Sequence, residues 1–255
     1  MTTVAYAAVT QSGLSFDRQL WMRPEIIPGL KNADRCCTCR RCCCGYTVGT
    51  LWQYVAQKHL WCYSCRSFSG FNLYSPTFVR GLKKEELPEM ARAYGHAVNL
   101  AREAGFDAVE IHAGHGYLIS QFLSPYTNRR KDCFGGSLEN RMRFMDMVME
   151  EVMKAAGTDM AVLVKVNMRD GFRGGMEMDE TMQVAKRLEQ SGAHALVLSG
   201  GFVSKAPMYV MRGQMPIHSM THYMNCWWLK YGVRMVGKWM IPTVPFKEAY
   251  FLEDA

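Results

Sequence analysis

Residues 107–168 read DAVEIHAGHGYLISQFLSPYTNRRKDCFGGSLENRMRFMDMVMEEVMKAAGTDMAVLVKVNM, and this stretch decides the fold. DAVEIHA (107–113) and MAVLVKVNM (160–168) are apolar runs of strand length. Between them, SLENRMRFMDMVMEEVMKAAG (137–157) is a helix: Ser137 is its N-cap, acids come early and a glycine stops it. Two strands joined through a helix form a βαβ unit, because parallel strands need a long crossover.

The alternation continues on both sides. KKEELPEMARAYGHAVNLAREAG (83–105) is an amphipathic helix closed by Gly105, and MDETMQVAKRLEQSG (178–192) is a helix with Asp179 near its cap. HALVLSGG (194–201) and TVAYAAV (3–9) read as strands. Residues 17–31 carry near-helical apolar spacing interrupted by Pro24 and Pro28, and the turn-rich 69–78 reads as a loop. This order predicts an α/β fold with a parallel sheet. Polar and Gly-rich clusters follow the strand ends: HAGHGY, NMRDGFRGG and SGG. The reactive face of a (β/α)₈ barrel is built from such loops, although the chain shows roughly four to five βα units against a barrel's eight.

The 255 residues are 49% apolar and 21% charged, which suits one globular domain over 1–255 and excludes a disordered chain. No run of 18 apolar residues occurs, and the first residues lack a basic n-region; the expectation is a cytoplasmic protein with no membrane partner. The net charge of +7 is uneven. Arg35, Arg40, Arg41, Lys58 and Arg66 lie in a window without acids, so the overall charge argues little for nucleic acid. CWWLKYGVRMVGKWM (226–240) resembles an interfacial helix in composition, but core packing is the expected role for its Met and Trp.

Chemistry concentrates after the strand 107–113. His112 and His115 flank Ala113 and Gly114, and Tyr117 follows. Two imidazoles at a strand end can donate hydrogen bonds to one substrate oxygen, polarising a carbonyl and stabilising an enolate. A nearby phenol can deliver a proton to carbon. Gly114 and Gly116 allow a tight turn and close approach to a ligand. A His pair at this spacing also binds metal in some proteins, so HxxHGY alone leaves both chemistries open.

The longer run decides between them. IHAGHGYLISQFLSPYTNRRKDCFGGSLENRMRF (111–144) resembles the signature of the Old Yellow Enzyme family of FMN-dependent oxidoreductases. The features that carry the resemblance are His112, His115 and Tyr117, the QFLSP run (121–125), Asn128, Arg130, Asp132 and FGGSLENR (134–141). The resemblance implies FMN at the mouth of a barrel, reduced by NADH or NADPH, passing hydride to the β-carbon of a small-molecule α,β-unsaturated carbonyl compound. His112 and His115 would bind the carbonyl oxygen and Tyr117 would protonate the α-carbon. Lys165 matches a basic position near the flavin pyrimidine edge, where many members carry Arg; a cation there stabilises the reduced flavin. Asn128, Arg130 and Asp132 are expected to brace the loop. No metal is assigned to this site.

The sequence departs from the family in three places. By comparison with the family, the first strand is expected before residue 1 and the last two, with the FMN phosphate site, after residue 255. The expectation is therefore a partial (β/α)₈ TIM barrel lacking its first and last strands, with weak or absent FMN binding by the chain alone and its activity as a fragment left open. The third departure is internal: where the family has a strand near 45–52, the chain has RCCTCRRCCCGYTVGTLWQYVAQKHLWCYSC (35–65). Read one base out of frame, with permitted codons, Gly45–Lys58 spells Gly-Ile-Gln-Leu-Gly-His-Cys-Gly-Asn-Met-Ser-His-Lys, which suits a family strand and turn. Residues 35–66 are therefore expected to be a frameshifted segment, and the coding DNA tests this. The alternative is a Cys-rich metal- or nucleic-acid-binding module, since Cys39–Cys42 and Cys62–Cys65 have CxxC spacing; three adjacent cysteines suit a tetrahedral site poorly.

Overall fold

Strand β1 (Thr2–Ala7) and helix α1 (Ile27–Thr38) open the chain, followed by β2 (Cys44–Val48) and the short β3 (Cys65–Arg66), β4 (Gly70–Asn72) and β5 (Thr77–Gly81). Then come α2 (Leu87–Ala104), β6 (Ala108–Ala113), α3 (Leu118–Leu123), α4 (Leu138–Ala156), β7 (Ala161–Asn167), α5 (Met178–Gln190), β8 (Ala195–Ser199) and α6 (Trp227–Met240). This computed structural model describes residues 2–11, 19–38, 44–48, 65–67, 70–72, 77–203, 217, 221 and 227–240.

Five strands form one parallel sheet in the order β1-β2-β6-β7-β8. The fold is thus α/β with a parallel sheet. The two faces of the sheet are read from β7: Val162, Val164 and Val166 are fully buried, whereas Ala161, Leu163 and Lys165 are half-buried. The valines face the helices; the alternate residues face the inner side, where a barrel would hold its site. Register then carries this face across the sheet, pairing His112 with Lys165 and Asn167 with Ser199.

The helical layer is sequence-driven. On α2, Leu87, Met90, Tyr94, Val98 and Ala101 recur at helical spacing and are buried. Gly105 ends the helix at φ 97°, and its N–H reaches the carbonyls of Ala101 and Arg102. On α4, the Ser137 hydroxyl accepts the Asn140 N–H at 3.4 Å, and Phe144, Met145, Val148 and Val152 are buried. Phe144 stacks against Phe122 of α3 with centroids 4.4 Å apart. Each such side chain contributes about 1.5–3 kcal/mol when fully buried.

Four expectations are corrected. Strand β2 occupies Cys44–Val48 and pairs with β1 and β6, so the sheet has a strand where the family comparison left a gap. The pairing is made by the backbone, which is indifferent to the unusual composition. The stretch 69–78 is not a plain loop, because β4 pairs antiparallel with β5, Phe71 opposite Phe78. The helical pattern in 17–31 becomes a helix only from Ile27, after a 3₁₀ turn at Pro24–Ile26, since proline is accommodated in a first turn and not in an interior. On α6, Trp227, Trp228, Tyr231 and Met235 are 59–76% exposed and do not pack in the core. Most of the Cys-rich window, including Cys39, Cys42, Cys43 and Cys62, lies outside the described residues, as does the segment that carries most of the frameshift reading. No helix among the described residues is long and apolar enough to cross a membrane.

Helices α2 and α4 meet closely at Gly95, where a Cβ would sit 2.9 Å from the Glu151 carbonyl oxygen. Gly95→Ala gains about 1 kcal/mol of helix propensity. It also pushes a backbone carbonyl aside, an overpacking cost of about 1–3 kcal/mol. The contact is with backbone, which cannot rotate away, so the expected outcome is net destabilisation, read as a lower urea midpoint at unchanged slope.

Candidate active site

Strand β6 ends at Ala113, and the chain turns through Gly114, His115 and Gly116 into α3. His112 is the last inward-facing residue of the strand and is buried; His115 is half-buried and Tyr117 buried. The turn brings all three rings together. Their centroids lie 4.8 Å apart for His112–His115, 4.3 Å for His112–Tyr117 and 6.2 Å for His115–Tyr117, each pair edge to face.

The turn is demanding. His115 has φ 57°, a left-handed conformation uncommon for a residue with a side chain. Its N–H donates to Asn167 Oδ1 at 3.0 Å, and its carbonyl accepts the Val203 N–H at 3.1 Å. A Cβ at Gly114 would lie 2.7 Å from Asn167 Oδ1, and one at Gly116, at φ 83°, would run into the Phe202 ring. Both positions therefore require glycine.

The imidazoles are uncharged near neutrality. Burial holds His112 well below its ordinary pKa, helped by the charges of His115 and Lys165. Burial, then Lys165, lowers His115 to about 4. His112 Nδ1 accepts the Gly114 N–H at 3.2 Å, so its proton sits on Nε2. His115 Nε2 lies 2.6 Å from Ser199 Oγ.

Lys165 is on the inner face beside His112 and forms an ion pair with Glu110 at 2.7 Å. An ammonium group has three protons, so this pair leaves it capacity for a further acceptor. Sequence reasoning missed Glu110, although VEIHA places residues 110 and 112 on one face. It also missed Asn167, Asp170 and Ser199, whose clusters, NMRDG and SGG, stood at strand ends. Asn167 Nδ2 donates to Asp170 Oδ1 at 3.1 Å and to the Gly201 carbonyl at 2.8 Å. Asp170 Oδ2 accepts the Met176 N–H at 2.8 Å, and burial pushes its carboxyl pKa up.

Asn128, Arg130 and Asp132 form hydrogen bonds within the following loop and from it to the segments at Ser67 and Leu82. Asn128 Nδ2 donates to the carbonyls of Phe122 and Phe134, both at 2.7 Å. Arg130 forks onto Asp132, donates to the Ser67 carbonyl at 3.1 Å and also reaches the Leu82 carbonyl. Arg141 joins the Leu123 carbonyl to Glu180, linking α4 to α5.

With this geometry in view, the relatives are informative. The sequence profile of the NADH:flavin oxidoreductase / NADH oxidase family matches residues 60–229. The chain belongs to this family, that of Old Yellow Enzyme. A 4,4'-dithiodibutanoate disulfide reductase of Rhodococcus erythropolis is 32% identical over 262 aligned residues, covering 100% of this chain and 63% of the relative. An NADPH dehydrogenase of Listeria welshimeri is 38% identical over 136 residues, covering 53% of this chain and 40% of the relative. An NADH oxidase of Thermoanaerobacter brockii is 39% identical over 131 residues, covering 51% and 20%. The chain thus spans less than two thirds of these relatives. A 2-naphthoyl-CoA reductase structure superposes with TM-score 0.75 at 22% identity, covering 91% of this chain and 37% of that one. Morphinone reductase superposes with TM-score 0.69 at 19% identity, covering 77% and 60%. These likenesses show the fold, matched over part of a TIM barrel's length. The family binds FMN and uses NAD(P)H.

The lowered histidine pKa values give a signed pH dependence. Between about 4 and the ordinary value of 6.5, the unfolded chain binds a proton at residue 115 that the native site refuses. The contribution of this histidine to stability therefore falls as pH drops through this window and is constant above it. Comparing urea midpoints at several pH values, His115→Gln is expected to show a shallower acid-side decline than the parent.

Proposed function

We propose that this chain carries the substrate-activating part of an FMN-dependent ene-reductase, and that residues 1–255 form one unit of its barrel. In this reading NADH or NADPH is the reductant and an α,β-unsaturated carbonyl compound the substrate; dependence on these nucleotides suits a cytoplasmic setting. The observation that carries it is the packing of His112, His115 and Tyr117 within 4.3–6.2 Å of one another, at the inner end of a parallel strand.

The residues present fit a flavin chemically. The Lys165 ammonium stands on the inner face, anchored by Glu110, next to two neutral imidazoles. A cation in that position suits the electron-rich pyrimidine edge of a reduced isoalloxazine. When bound, FMN supplies the hydride.

The protein's own groups do the rest. The Nε2–H of His112 and one N–H of His115 donate to the carbonyl oxygen and strengthen as it gains enolate character. Neutral imidazoles suit this task, since they donate without adding a cation beside Lys165. The Tyr117 hydroxyl then delivers a proton to the α-carbon. Burial of His112 and Tyr117 excludes water from the reacting atoms.

The test supplies FMN in excess to the purified chain. Flavin absorbance is followed anaerobically, first with NADPH and then with cyclohexenone. Bleaching by NADPH followed by enone-dependent recovery of absorbance is expected. Tyr117→Phe should slow the recovery by about 10²–10⁴ and leave the bleaching unchanged, since it removes the proton donor alone. Recovery at the parental rate in that variant, or no enone-dependent recovery in the parent, overturns the proposal.

A further inference from the structure

The two imidazoles are anchored through different nitrogens. His112 uses Nδ1 as acceptor for the Gly114 N–H, which leaves the proton on Nε2. His115 has the opposite nitrogen engaged, with Nε2 2.6 Å from Ser199 Oγ. A neutral imidazole has one donor and one acceptor nitrogen, so the direction of this second bond decides what His115 offers a substrate. If His115 donates to Ser199, its Nδ1 presents a lone pair, which repels a carbonyl oxygen. If Ser199 donates to His115, Nδ1 carries the proton and presents a donor.

We propose that Ser199 is a positioning residue: its hydroxyl donates to His115 Nε2 and so fixes His115 as the Nδ1–H tautomer. His112 and His115 would then address one oxygen through Nε2–H and Nδ1–H respectively. The hydroxyl has a single proton, and His115 Nε2 is the acceptor the structure places within its reach. The backbone around the pair is held to match. β8 is paired to β7 with Asn167 opposite Ser199, so both residues face the same side. Asn167 Oδ1 takes the His115 N–H at 3.0 Å, which holds the left-handed turn at φ 57°. Asn167 is itself oriented by Asp170 at 3.1 Å and by the Gly201 carbonyl at 2.8 Å, so its amide nitrogen points away from His115 and its oxygen toward it. Asp170 is in turn fixed by the Met176 N–H. Three strand-end segments therefore converge on one ring: the β6 turn supplies it, the β7 end sets its backbone and Ser199 sets its proton.

The inference extends the proposed reaction, but its test does not need that reaction. Imidazole ¹⁵N shifts distinguish a protonated from an unprotonated ring nitrogen, and they can be recorded on the labelled full chain near pH 8 without flavin or substrate. His115 is expected as Nδ1–H and His112 as Nε2–H. Ser199→Ala should move His115 toward the Nε2–H form that free imidazole favours and leave His112 unchanged, whereas Ser199→Thr, which keeps the hydroxyl, should retain Nδ1–H. A parent protein with His115 as Nε2–H overturns the proposal even if no variant folds. An unchanged His115 tautomer in Ser199→Ala overturns the role of Ser199. In the enone assay, Ser199→Ala should lower the rate of flavin reoxidation about tenfold, with Thr restoring it. If the tautomers are as expected and no enone is reduced, the reaction assignment fails and the role of Ser199 stands.

Discussion

The register of β6 on β7 is the constraint on which the site depends. Parallel pairing of Ala108 with Ala161 propagates residue by residue to His112 beside Lys165. A slip of one residue would turn every side chain to the opposite face. His112 and Glu110 would then point into the helices, and Val109 and Ile111 would enter the site. The register is held by the other face: Val162, Val164 and Val166, with Val109 and Ile111, are fully buried and leave no room for a charged group. The apolar face thus specifies where the polar face lies.

That polar face works by pairing. Burying an isolated ion costs several kcal/mol, and Glu110 is buried on its strand. Lys165, at 2.7 Å on the neighbouring strand, offsets this cost and is held in place by it. The histidines solve the same problem differently. Among the described residues no carboxylate pairs with their rings, and burial and the nearby ammonium keep them neutral. A site of one ion pair and two uncharged donors results, suited to hydrogen bonding a developing enolate.

Much of this was legible in the sequence. The helices 83–105, 137–157 and 178–192 and the strands at 107, 160 and 194 declare themselves through apolar period, Ser137 and the glycine stops, and the observed ends differ by one or two residues, except that the first helix starts at Leu87 after a 3₁₀ turn at Lys84–Glu86. His112, His115 and Tyr117 stand in one short motif, so a tight turn alone brings them near. Glu110, Asn167 and Ser199 were harder to see because their importance comes from register across strands, which a single sequence does not state. Strand β2 was missed because the cysteines around it drew the whole window 35–66 into a frameshift or metal reading, although Tyr46, Thr47 and Val48 are good strand formers, and the β4–β5 pair because its turn signals hid two short runs. The exposed aromatic face of α6 shows the limit of composition: Trp and Met count toward a core in an average, but Trp227 and Met235 are more than 70% exposed.

The turn after β6 shows why the motif must contain its glycines and its histidine in this order. A residue with a side chain at φ 57° carries strain of the order of 1–3 kcal/mol, and His115 is such a residue. Glycine there would relieve the strain and remove the ring. Exchanging His115 with either neighbour fails as well, because Gly114 lies against Asn167 and Gly116 against Phe202, with no space for a Cβ. The ring can be presented only from the central position, so the strain is accepted and held by the Asn167 and Val203 hydrogen bonds on either side of the residue. Those two partners belong to the ends of β7 and the segment after β8. The local geometry of one histidine therefore requires three consecutive βα units to be assembled, and the site forms only as the sheet does.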